Sequence, residues 1–66
     1  MRVEVNGQNR EFAAGATVAD VLAEFGRPGT GVAVALDGAV VPRASWPRTP
    51  LRDGARVEVL TAVQGG

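Results

Sequence analysis

Along residues 2–6 the side chains alternate, with Val3 and Val5 on one face and Arg2 and Glu4 on the other, and the run ends at Asn6-Gly7. Alternation marks a half-buried strand, and Asn-Gly is the strongest short-range signal for a two-residue hairpin. The pattern therefore predicts a strand, a tight turn and a returning strand from Gln8 to Ala13. That second arm is polar apart from its apolar anchor Phe12, as suits an edge strand whose charges discourage further pairing. Gly15 breaks the pattern. Thr17 followed by Asp20 then makes a capping-box-like start to a run in which Val18, Val21, Leu22 and Phe25 recur at helical spacing. This predicts an amphipathic helix of about two turns, with Gly26 placed beyond its last turn and Pro28 preventing its continuation.

From Val32 to Leu36 the chain is continuously apolar, and Asp37-Gly38 offers a second tight turn into Ala39-Val40-Val41, where Pro42 stops ladder donation. Between Arg43 and Leu51 no period is visible, which predicts irregular backbone with Trp46 as a plug at the edge of the core. After a turn at Asp53-Gly54 the last strand alternates, Val57, Val59, Thr61 and Val63 on one face and Arg56, Glu58, Leu60 and Ala62 on the other. The order β-β-α-β-β-β packs most simply as an α+β, β-grasp (ubiquitin-like) fold, a mixed sheet of about four to five strands with one main helix on one face. The first and last strands have the cleanest apolar faces, so they are expected at the centre, side by side and parallel, joined by a right-handed crossover. Residues 1–64 form the expected domain, and Gly65-Gly66 a flexible tail.

Composition narrows what such a domain does. The chain has 66 residues, too few for two domains, with seven basic residues balanced by seven acidic ones. That balance, with no concentration of cations, argues against a nucleic-acid or anionic-membrane surface. No apolar run approaches a membrane span, and Met1 leads directly into strand pattern without a signal peptide, so a cytoplasmic location is expected. Cysteine and histidine are absent, which removes disulfides, the usual zinc ligands, and thiol or imidazole catalysis. All seven basic residues are arginine, leaving no lysine for a Schiff base or a side-chain isopeptide bond.

The remaining candidates have plain structural accounts. Gly26-Arg27-Pro28-Gly29-Thr30-Gly31 looks like a phosphate loop, but such loops leave a strand and open a helix, and this one does the reverse. Ser45 lacks a base to activate it, and the carboxylates Glu4, Glu11, Asp20, Glu24, Asp37, Asp53 and Glu58 are spread with no convergent pair. The terminal Gly65-Gly66 is different. Frayed ends are common, yet a side-chain-free tail directly after a strand can thread a narrow channel and present its carboxylate to an enzyme. Joined to AMP, that carboxylate becomes a mixed anhydride open to attack by sulfur. With no cysteine in the chain, Gly66 is the one position where reactive sulfur could be carried covalently.

The sequence resembles the ThiS family, the small sulfur carriers of thiamine biosynthesis, over nearly its whole length. The matching stretches are Ala13-Ala14-Gly15 with Thr17-Val18 and Leu22, Gly31-Val32-Ala33-Val34-Ala35-Leu36, Val40-Val41-Pro42-Arg43 with Trp46, Leu51, Asp53-Gly54, and Ala62-Val63-Gln64-Gly65-Gly66. The resemblance implies a protein co-substrate rather than an enzyme. Its Gly66 would be adenylated by a ThiF-like enzyme that uses ATP and magnesium, this chain binding no cofactor itself. Sulfur would then come by a cysteine desulfurase route, and the thiocarboxylate would pass it to a ThiG-like thiazole synthase. The chain departs from the commoner family pattern at Pro47 and Pro50 and in its Gly26–Gly31 loop, all of them in connections.

A docking patch is expected on the sheet face away from the helix, where Leu60 and Ala62 have no assigned core role. Val41 is placed near them, with Arg43, Arg56 and Glu58 as a rim and Gln64, Gly65 and Gly66 as the tail that extends the patch. The plainer account is that these are scattered exposed apolar residues, which are common. Two other functions stay open: a related β-grasp carrier for molybdopterin, cysteine or a specialised metabolite, and a binding module whose glycines are incidental. A monomer is expected when the chain is free.

Overall fold

The computed structural model describes residues 1–24 and 31–61. Phe25, Gly26 and Pro28, expected at the close of the helix, lie outside the described residues, as do nearly all of the glycine-rich loop and the segment Ala62, Val63, Gln64, Gly65 and Gly66. The elements follow the expected order: β1 (Arg2–Val5), β2 (Gln8–Glu11), α1 (Val18–Glu24), β3 (Val32–Leu36), β4 (Ala39–Val41), a 3-10 helix (Arg43–Arg48) and β5 (Arg56–Thr61). They build one five-stranded sheet in the order β2-β1-β5-β3-β4. The strands nearest the two ends of the sequence, β1 and β5, are parallel neighbours, and every other pair is antiparallel.

Local chemistry explains the connections. Asn6 and Gly7 have φ of 50° and 83°, and Asp37 and Gly38 have 49° and 86°. Two successive positive φ values are what a hairpin turn matched to strand twist requires, and Asn, Asp and Gly tolerate them best. At the start of α1, the Thr17 N–H donates to Asp20 Oδ2 at 2.8 Å while the Asp20 N–H reaches back to Thr17 Oγ1 at 3.4 Å. This is the reciprocal cap expected from their spacing. The second arm is shorter than expected, ending at Glu11, and all of β2 is exposed at the sheet edge. Phe12 is half-buried against the core, with its N–H and C=O both bonded to Met1.

One face of the sheet carries the core. Val3, Val5, Val34 and Val57 meet Val18, Val21 and Leu22 of α1, all nearly inaccessible to water, and Ala16, Leu51 and Ala55 close the margins. Trp46 is a plug, as expected, only 5% exposed and donating its indole N–H to the Val41 carbonyl at 2.9 Å. Its surroundings correct the sequence reading, because Arg43–Arg48 is a 3-10 helix rather than irregular chain. The helix begins after Pro42 in extended geometry, and the Ser45 N–H donates to the Pro42 carbonyl at 2.8 Å. A helix of so few residues that buries Trp46 alone repeats no apolar position, so it leaves no period to read.

Leu22 is 1% exposed at the centre of this core. Leu22→Ala should lower the unfolding free energy by about 2–5 kcal/mol. Urea denaturation followed by the fluorescence of Trp46, the chain's single tryptophan, measures it, and a change under about 1 kcal/mol would contradict the packing described.

Candidate functional site

Because successive strand residues point to opposite faces, the residues that alternate with the core valines cover the side of the sheet turned away from α1. The register places them. Glu4 lies beside Arg56, Arg2 beside Glu11, Ala35 between Val40 and Glu58, and Ala33 beside Leu60. This open face has two halves. Over β2, β1 and the start of β5 it is charged, with Arg2 paired to Glu11 at 3.6 Å and Arg56 to Glu4 at 3.7 Å. Over β3, β4 and the end of β5 it is apolar, and it holds the exposed large hydrophobic residues of the described chain, Val40 at 76% and Leu60 at 65%. Glu58 stands on the boundary and has no ion-pair partner among the described residues. A shallow depression lined by Glu4, Asn6, Gly7, Arg56, Glu58 and Leu60 lies where β5 runs on past the end of β1.

Of the expected patch, the structure brings together Leu60, Glu58 and Arg56. Val41 is a correction. It pairs with Val34, which is 2% exposed, and it packs against the core, so it belongs to the helix side of the sheet. Val40, passed over in the sequence reading, takes its place. The two-residue turn sets the pairing of β4, and in a strand a shift of one residue exchanges the faces. Arg43 is also elsewhere, with its guanidinium carbon 5.6 Å from the centroid of the Trp46 ring in the 3-10 helix that packs on α1. Ala62, Gln64, Gly65 and Gly66 lie outside the described residues. Counting outward from Asp37-Gly38 pairs Leu36 with Ala39, hence Ala35 with Val40, but the continuously apolar β3 gives no signal of which of its faces is buried.

The described carboxylates serve as turn, cap and strand-face groups, and no three of them gather where they could hold a metal ion. No described helix is long and apolar enough to cross a membrane.

Comparison with known proteins places the chain. The model of the ThiS family matches residues 3–66, a span that includes both terminal glycines. This chain belongs to the ThiS family. It is 42% identical over 64 residues to the sulfur carrier protein ThiS of Thermus thermophilus, covering 97% of this chain and 98% of that one. It is also 33% identical over its full 66 residues to a thiazole synthase of Paramagnetospirillum magneticum, of whose length it spans only 20%. The crystal structure of a ThiS thiamine biosynthesis protein from Geobacter metallireducens superposes with a TM-score of 0.82 at 30% identity, each chain covered in full. The ThiS family fold is the β-grasp that the element order predicted, with its helix on one face of the mixed sheet.

The face assignment of β4 makes a direct prediction for this ThiS-family domain. Val40→Asp should change stability by no more than about 0.5 kcal/mol, as an exposed substitution does. Val41→Asp places a carboxylate against the core and should cost upwards of about 2 kcal/mol. Denaturation of the two variants side by side measures both, and equal losses would mean that the faces are misassigned.

Proposed function

We propose that this chain is a sulfur carrier of thiamine biosynthesis, with the Gly66 carboxylate as its working group. The observation that carries the proposal is the ThiS-family match through Gly65-Gly66, in a chain without cysteine or lysine. In this reading a β-grasp domain over residues 1–64 positions a tail of Gly65 and Gly66, and the catalytic groups belong to partners in the cytoplasm.

The chemistry is a substitution at the α-phosphorus of ATP, a substitution at the Gly66 carbonyl carbon, and a thiol–disulfide exchange. A ThiF-like enzyme binds ATP and magnesium, and a Gly66 carboxylate oxygen attacks the α-phosphorus, releasing pyrophosphate and leaving an acyl adenylate. Sulfur from a cysteine desulfurase route, held as a persulfide, attacks that acyl carbon and expels AMP. Reductive release then leaves a thiocarboxylate on Gly66, with a thiol as the source of electrons. A ThiG-like thiazole synthase takes the sulfur. The thiazole synthase relative supports that acceptor, because a stretch like this whole chain occupies a fifth of its length. Partners would dock on the open face, where Leu60 and Val40 supply apolar area and Arg56 and Glu58 a charged border.

Intact mass after incubation with a ThiF-like enzyme, ATP, magnesium and a persulfide donor tests the proposal. One oxygen should be replaced by one sulfur, a thiol-reactive tag should map to Gly66, and deletion of Gly66 should abolish the change. An unchanged mass with an enzyme that converts another carrier in the same preparation would sink the reading.

A further inference from the structure

The parallel ladder between β1 and β5 ends early. The Glu4 N–H donates to the Ala55 carbonyl at 2.9 Å and the Asn6 N–H to the Val57 carbonyl at 3.0 Å, after which β1 turns away into its hairpin. β5 continues to Thr61 and leads into residues 62–66. At the next step of the ladder the Asn6 side chain stands in for a backbone. Its Oδ1 accepts the Val59 N–H at 2.8 Å, and its Nδ2 donates to the Val59 carbonyl at 3.3 Å. A primary amide carries the same donor and acceptor as a peptide group, so this one side chain satisfies both sides of Val59. Beyond Val57, among the described residues, Asn6 is the group of the β1 hairpin that is hydrogen-bonded to β5.

The turn does not explain this choice. Asn6 has φ of 50°, which Gly, Asp and Asn all accept. Glycine would keep the turn and lose the amide. Aspartate would keep the acceptor for the Val59 N–H and lose the donor for its carbonyl. Asparagine satisfies the backbone conformation and both bonds. β3 alone would otherwise hold the end of β5, pairing with it on the opposite edge through Val34, Ala33 and Val32. A strand held on one edge can pivot out of the sheet. A strand held on both points in one direction.

We propose that Asn6 is a positioning residue for the adenylation of Gly66, clamping Val59 so that the described end of β5, from which the tail departs, is held in the sheet from both edges when the carrier meets the adenylating enzyme. The proposal rests on the carrier reading. Asn6 lines the depression beside Arg56, Glu58 and Leu60, but its amide is spent on Val59 and those three docking side chains are kept in its variants, so loss of the clamp should slow the chemical step more than it weakens recognition. Misdirection of a reacting group by about 1 Å is enough to cost orders of magnitude in rate.

The test compares wild type with Asn6→Gly and Asn6→Asp in ATP–pyrophosphate exchange by a ThiF-like enzyme, well below the melting temperature, with folding checked by Trp46 fluorescence. We expect Asn6→Gly to lower kcat by about tenfold with KM for the carrier within about twofold of wild type, and Asn6→Asp to fall between. In the wild-type chain the Val59 amide should exchange with solvent slowly, and in Asn6→Gly markedly faster. An Asn6→Gly variant with wild-type kcat, or a wild-type Val59 amide exchanging as freely as an exposed one, overturns the positioning role and leaves the carrier reading standing. A wild-type chain that supports no exchange, with an enzyme active on another carrier, overturns both.

Discussion

The parallel pairing of β1 with β5 is the constraint from which the rest of this small structure follows. Parallel neighbours cannot be joined by a tight turn, so everything between Asn6 and Ala55 serves as a crossover that must leave one side of the sheet and return. α1 takes that route and brings Val18, Val21 and Leu22 onto Val3, Val5 and Val57. The β3–β4 hairpin then completes the sheet on the far side of β5, which makes β5 the middle strand. With α1 used on one face, no described helix covers the other.

Where strands run out, short polar side chains at turns continue the hydrogen bonding. Asp53 Oδ1 accepts the Arg2 N–H at 2.7 Å, Asp37 Oδ1 accepts the Arg56 N–H at 2.9 Å, and Asn6 pairs with Val59. Each turn residue thus acts twice, shaping its own backbone and bonding a neighbouring strand end that would otherwise face water alone. In a sheet whose strands are four to six residues at most in β1, β2, β3 and β5 and three in β4, such ends are a large share of the ladder. Only side chains with an oxygen or amide close to the backbone reach that far and no farther.

The uncovered face and the chemistry at the tail are two results of one economy. A domain of this size has too little interior to build a pocket for ATP and also bury a core. It can offer a surface and an acyl group, with catalysis left to the enzymes that act on it. The charged half of the open face is largely neutralised by its own pairs, Arg2 with Glu11 and Arg56 with Glu4. In the proposed carrier role, recognition would fall to the apolar half and to its border of Arg56 and Glu58. The route from that surface to Gly66 runs through β5, the strand held from both sides.

Local signals in the sequence determined much of this protein. The turns at Asn6-Gly7 and Asp37-Gly38, the reciprocal Thr17 and Asp20 cap, the order of the elements along the chain and the burial of Trp46 could all be read because each depends on neighbouring residues or on a simple repeat. The exclusion of thiol, imidazole and lysine chemistry followed from composition alone. Tertiary structure decided what local pattern leaves degenerate. β3 and β4 are apolar on both sides, so no alternation told Val40 from Val41 until pairing with Val34 put Val41 on the core. The 3-10 helix has a single buried side chain and hence no period, and Arg43 joined Trp46 rather than Leu60 because that helix packs against α1. Asn6 read as a turn residue. Its bonds to Val59 span 53 positions of sequence, and only the parallel pairing of distant strands brings the amide and the peptide together.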